Sequence, residues 1–196
     1  VVDGELMPSE ALSEDKFKEV CRQLKLINKT KIKEAPLSIN GFIPHNLIYS
    51  HVERQKFLIV FKELPQKRYL RFTQESGLID GYYDVPGIVY FYVNRTVWIY
   101  CYDKWLGHKT KLYAIVLPNI NIENCSVCMG NVAVPHFNSV QEIVTQIPIF
   151  FWDSYFNEFR NDDIDEEIEA LKNNKIVIKK KFYKNTLINI INDTLS

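Results

Sequence analysis

Apolar positions change their period along the chain. Phe17, Val20, Cys21, Leu24 and Ile27 fall three or four residues apart, which predicts an amphipathic helix over Glu14 to Ile27. Ser13 followed by Glu14 and Asp15 supplies its start signal, a capping side chain with acids in the first turn. From Leu47 the period shortens. LIYSHV (Leu47 to Val52), KFLIVFKE (Lys56 to Glu63) and KRYLRF (Lys67 to Phe72) are short, aromatic or β-branched runs with turn-length gaps, predicting an antiparallel meander. SGLIDGYYDVPG (Ser76 to Gly87) carries three Gly and one Pro and is expected to be irregular. GIVYFYVN and TVWIYCYD form a predicted hairpin around Asn94-Arg95, and KLYAIVLPNI is a further apolar run ended by Pro118.

After Asn131 helical spacing returns. Ser139 with Glu142 three residues later opens a predicted helix reaching Arg160, with Pro148 set to kink or split it. DDIDEEIEALKNN (Asp162 to Asn174) reads as an acidic helix with one apolar line, Ile164, Ile168 and Leu171. The tail from Ile176 reads as a strand and then a helix. Strands followed by helices indicate an α+β architecture. The expected organisation is one domain over residues 1–160 and a helical extension over 161–196, packed on or following it.

The 196 residues carry 24 basic and 24 acidic side chains. A nucleic-acid binder shows a basic excess, and the one local run here, Lys179 to Lys181, adjoins an acidic stretch. Direct nucleic-acid binding is therefore not expected. No apolar run of about 18 residues predicts a membrane span. The opening VVDGELMPSE lacks the apolar centre of a signal peptide, so a cytoplasmic, reducing setting is expected, with free thiols.

Candidate chemistry lies in LPNINIENCSVCMGN (Leu117 to Asn131), which leaves the last predicted strand. Cys128 is the candidate nucleophile. Set against this, free cysteines are among the most buried residues, and Cys101 and Cys21 lie on apolar faces. Cys125 and Cys128 form a C-x-x-C, a spacing that also serves redox disulfides and half zinc sites. His136 is a candidate base. Asn119 and Asn121 serve either as turn residues or as polarising amides.

Pro118-Asn119-Ile120-Asn121 followed by Ser126-Val127-Cys128-Met129 resembles the active-site loop of ubiquitin-conjugating enzymes. Leu117 stands where that family has His, and the span from the Asn to Cys128 is one residue longer. Ser76-Gly77-Leu78, Gly81, Pro86-Gly87 and Val127-Cys128-Met129-Gly130 resemble the prokaryotic ubiquitin-conjugating-enzyme-like family D, also called PRTRC system protein B. The similarity runs from about Met7 to Arg160. It implies a ubiquitin-conjugating-enzyme-like fold and a thioester on Cys128, with Asn119 or Asn121 polarising it. It implies no cofactor. The implied partners are a ThiF-like activating enzyme, docked by the helix from Glu14 to Ile27, a ubiquitin-like protein, and a JAB-type peptidase encoded nearby on mobile elements. The alternatives are a non-catalytic module of the same fold that binds those partners, and a thiol–disulfide protein using Cys125 and Cys128.

Overall fold

In a computed structural model the described residues are 43–53, 56–128, 135–157, 159 and 164–195. Six strands form the main sheet: β1 (Leu47–Glu53), β2 (Lys56–Glu63), β5 (Gly87–Val93), β6 (Thr96–Tyr102), β7 (Lys111–Ala114) and β9 (Tyr183–Thr186), in the order β1-β2-β5-β6-β7-β9. All neighbours in it are antiparallel. A second sheet has the order β4-β3-β8, from β3 (Gln66–Phe72), β4 (Gly81–Val85) and the short β8 (Tyr155–Phe156). Helix α1 (Val140–Trp152) precedes β8, α2 (Asp165–Lys172) follows it, and α3 (Leu187–Leu195) ends the described chain. The structure is thus α+β, as the order of periodicities predicts. The predicted helix from Glu14 to Ile27, with Cys21, lies outside the described residues.

The expected meander is rearranged. β5, not β3, pairs with β2, in a register running from Leu58↔Val93 to Glu63↔Ile88. The reason lies in which faces each strand can bury. In β2, Ile59 and Phe61 enter one apolar cluster while Leu58 and Val60 enter the other; in β5, Ile88, Tyr90 and Tyr92 alternate with Val89 and Phe91 in the same way. Such strands belong in the middle of a covered sheet. β3 buries only Leu70 and Phe72 and exposes Gln66, Lys67 and Tyr69, so it suits a sheet with one wet face. The segment expected to be irregular supplies its partner: Tyr83 and Val85 of β4 are buried, while Tyr82 and Asp84 are exposed. The alternation is there in the sequence, between glycines that masked it.

The β5–β6 hairpin turns on two residues, Asn94 (φ 46°) and Arg95 (φ 71°), with Val93 paired to Thr96. Two positive φ values mark the turn that matches strand twist. Ser139 caps α1 by accepting from the Glu142 amide at 3.1 Å, and Glu142 in return accepts from the Asn138 amide at 2.7 Å. Pro148 lies inside α1 without ending it; the helix stops at Trp152 rather than Arg160. The tail does supply a strand and a helix, but the strand begins at Tyr183, beyond the Ile176 run. It becomes the outermost strand of the main sheet, and Leu187 and Ile191 of α3 cover the face holding Leu58, Val60 and Phe91. Two lysines of the basic run noted in the sequence face acids of α2: Lys179 pairs with Glu166, and Lys179 and Lys181 stand 3.5 and 3.4 Å from the buried Glu167. No described helix is long and apolar enough to cross a membrane.

The corner between β2 and β3 is fixed by a half-buried carboxylate. Arg68 of β3 and Tyr90 of β5 both donate to Glu63. The Trp152 indole donates to Glu63 at 3.1 Å and to the Tyr90 hydroxyl at 2.7 Å. The Tyr102 hydroxyl donates to the Glu63 carbonyl at 3.0 Å, and the Arg68 guanidinium lies 4.9 Å from the Trp152 ring. Burial, then the Glu63 charge, holds the Tyr90 hydroxyl well above its ordinary pKa. One side chain thus ties both sheets to α1. Removing one member of a buried pair strands the other. Glu63→Ala is expected to lower unfolding free energy by about 3 kcal/mol in urea denaturation, while Glu53→Ala, at an exposed strand end, changes it by less than about 0.5 kcal/mol.

Candidate functional site

The Cys128 loop is built on an edge that β7 leaves vacant. β7 pairs with β6 only at Tyr100↔Ala114 and Cys101↔Tyr113. Beyond Ala114 the chain leaves the ladder through buried Ile115, Val116, Leu117 and Pro118, then turns at Asn119, whose φ is 68°. It returns as a small hairpin with Ile120 bridged to Val127, and the returning arm takes over the edge of β6 by bridging Ser126 to Trp98. Ile99 donates its amide to the Cys125 carbonyl and Val127 donates to the Val97 carbonyl, both at 2.9 Å. The Cys128 amide closes the hairpin on the Asn119 carbonyl at 2.7 Å.

The tip is a tight turn. The Asn121 side-chain oxygen accepts from the Glu123 amide at 2.8 Å, and its carbonyl accepts from the Cys125 amide at 2.7 Å. Asn124 in turn accepts from the Ser126 amide at 2.9 Å. Cys125 is left-handed, with φ 62°, a conformation that costs a residue bearing a Cβ about 1 kcal/mol or more. Its bonded backbone and buried side chain hold it there: Cys125 packs with Ala114, Val116, Ile122 and Ile164.

The described cysteines are all free, and their surroundings separate them. Cys101 is buried, with its sulfur 3.5 Å from the Tyr113 carbonyl, and burial pushes its thiol far up. Burial also pushes the Cys125 thiol up to about 12, with the Lys184 charge pulling the other way. Cys128 is partly exposed. A thiol must reach its partner and ionise to act as nucleophile, so the three are not equivalent. The two members of the C-x-x-C sit in different environments, one in the core and one at the rim.

The two asparagines hold backbone. The Asn119 side-chain NH2 donates to the Tyr155 carbonyl at 2.9 Å, and its oxygen accepts from the Asn157 amide at 3.3 Å. Bonding the carbonyl and amide that flank Phe156 is what a neighbouring parallel strand does. The carboxamide thus stands in for a peptide group along β8, whose other side is paired to β3. Asn121 holds the turn through its oxygen. Leu117, at the position of the family His, is buried. His136 is exposed at the surface before α1. Met129 and Gly130 lie outside the described residues.

An antiparallel sheet with a cysteine loop on the edge of its fourth strand, followed by helices, makes this an α+β protein with an E2-like fold, that of the ubiquitin-conjugating enzymes. Residues 23–190 match the family described as Prokaryotic E2 family D, and the chain belongs to that family. The match runs past Arg160, where the motif resemblance ends, and takes in α2 and β9. No curated protein and no solved structure matches the chain.

The contrast among the thiols is directly measurable. With iodoacetamide at pH 8 and peptide mapping, Cys128 is expected to be alkylated in the native protein. Cys101 and Cys125 are expected to react only after denaturant is added, because burial both shields them and keeps them protonated.

Proposed function

We propose that this chain carries a ubiquitin-like protein as a thioester on Cys128. The supporting observation is the placement of that residue: a partly exposed cysteine, on a backbone pinned to Asn119, set apart from two cysteines that the core buries. The Cys128 thiolate attacks the carbonyl carbon of a thioester held by a ThiF-type activating enzyme. A new carbon–sulfur bond forms, the old one breaks, and the activating enzyme's cysteine leaves as a thiolate. An amine then attacks the carrier's thioester, forming an amide, and Cys128 is regenerated. ATP is spent by the activating enzyme, so the carrier needs no cofactor. A PRTRC-type mobile element, with a JAB-type peptidase to reverse the linkage, is the setting this chemistry fits.

The asparagines divide the remaining work. Asn119 holds the loop to β8. Asn121 gives its oxygen to the turn, and its NH2 group donates to the oxygen on which charge develops. Donors aimed at such an oxygen act most strongly in the transition state.

Incubation with the activating enzyme, ATP and the ubiquitin-like protein is expected to give an adduct that thiols cleave. Cys128→Ala abolishes the adduct, and Cys125→Ala retains it. An adduct that survives Cys128→Ala, or one that thiols fail to release, ends the proposal. Asn121→Asp keeps the acceptor the turn needs and loses the donor. It is expected to slow discharge to an amine by about a hundredfold, with little change in melting temperature.

A further inference from the structure

The edge strand β9 contains an irregularity that points at the Cys128 loop. Its register against β7 runs Lys111↔Thr186, Leu112↔Asn185 and then Tyr113↔Tyr183. One residue of β7 is therefore matched by two of β9, and Lys184 is the unpaired one. Such a bulge turns a side chain out of the alternation of its strand. Here the Lys184 ammonium donates to the Glu123 carbonyl at 2.9 Å, across 61 residues of sequence. Glu123 lies in the tip turn, two residues after Asn121 and two before Cys125. The same tip is gripped from beneath, since Ile122 and Cys125 share a cluster with Ile164, Ile168 and Phe182 of the C-terminal segment.

We propose that Lys184 is a positioning residue for Cys128: the bulge in β9 aims its ammonium at the Glu123 carbonyl, and that bond sets the arm that presents the thiol. The path is short. Glu123 fixes the turn, the turn fixes Cys125 on the Asn121 carbonyl, and the arm from Ser126 to Cys128 follows along β6. Lys184 touches no reacting atom, and its function in transfer rests on the reading of Cys128 as the thioester carrier. A hydrogen bond from a charged donor is stronger than one between neutral groups, and Lys184 gives one to the side of the tip that the apolar cluster leaves exposed, at Glu123.

Amide hydrogen exchange on the full chain separates the parts of this proposal. In Lys184→Met, which keeps the stem and removes the donor, the Cys125 and Cys128 amides are expected to exchange roughly tenfold faster, with the β2, β5 and β6 amides unchanged. Lys184→Arg restores the protection. In the transfer assay Lys184→Met lowers the maximal rate of adduct formation on Cys128 without raising the concentration of charged activating enzyme needed for half that rate. Unchanged exchange at Cys125 and Cys128 overturns the clamp, as does acceleration spread evenly across the sheet or failure of Arg to restore protection. If the unmodified chain forms no adduct, the thioester reading falls, and the exchange experiment still decides whether Lys184 orders the loop.

Discussion

Glu63 stands where the chain leaves one sheet for another, and the fold turns on satisfying its carboxylate. Arg68, Tyr90 and Trp152 come from three different elements and meet on its two oxygens. A carboxylate so placed costs desolvation unless each partner arrives in the right geometry. The gain is directional: β3 must turn away from β2, β5 must take its place, and α1 must end with its indole over the corner. The two buried faces of β5 select it as the neighbour of β2, and the carboxylate then ties β3 and α1 to that pair.

That exchange of neighbours shapes the site at the far side of the sheet. With β5 and β6 buried centrally, β7 covers only the last residues of β6, and the edge beside Val97 to Ile99 is left to the returning arm of the Cys128 loop. The loop is irregular in its φ angles and regular in its bonding. Its backbone continues the ladder of a rigid strand, which places a thiol at the rim without a free-standing segment. Supports from below and from the side come from the last third of the chain, through Ile164, Phe182 and Lys184.

How much of this the sequence discloses depends on the range of the interaction. The two-residue turn at Asn94-Arg95 and the cap at Ser139 are local, and each is written in adjacent residues. The α+β class follows from the change in period after Asn131. Partner choice in the sheet was harder, because KRYLRF and GIVYFYVN both read as strands. Only the count of buried faces, two for β5 and one for β3, decides which fits beside β2. β4 was hidden by Gly81, Pro86 and Gly87, although Tyr83 and Val85 alternate with Tyr82 and Asp84 as a half-buried strand requires. Within the site, the motif singled out Cys128 and both asparagines, but the partners of the Asn119 amide lie 36 and 38 residues away. Lys184 carries no local signal at all, since its aim arises from the register between two strands about 70 residues apart in sequence.

The side chain of Asn119 finishes a ladder that no strand completes, and that makes the seam chemically fragile in a specific way. Its two ends are matched to a carbonyl and an amide, so the seam tolerates neither a longer arm nor a change of polarity. Slow hydrolysis of that carboxamide, the ordinary ageing reaction of asparagine, would set a negative oxygen against the Tyr155 carbonyl. A clasp would become a wedge, and the thiol-bearing hairpin would keep only its apolar packing, through Leu117 and Ile120, to hold it to the β8 side of the molecule.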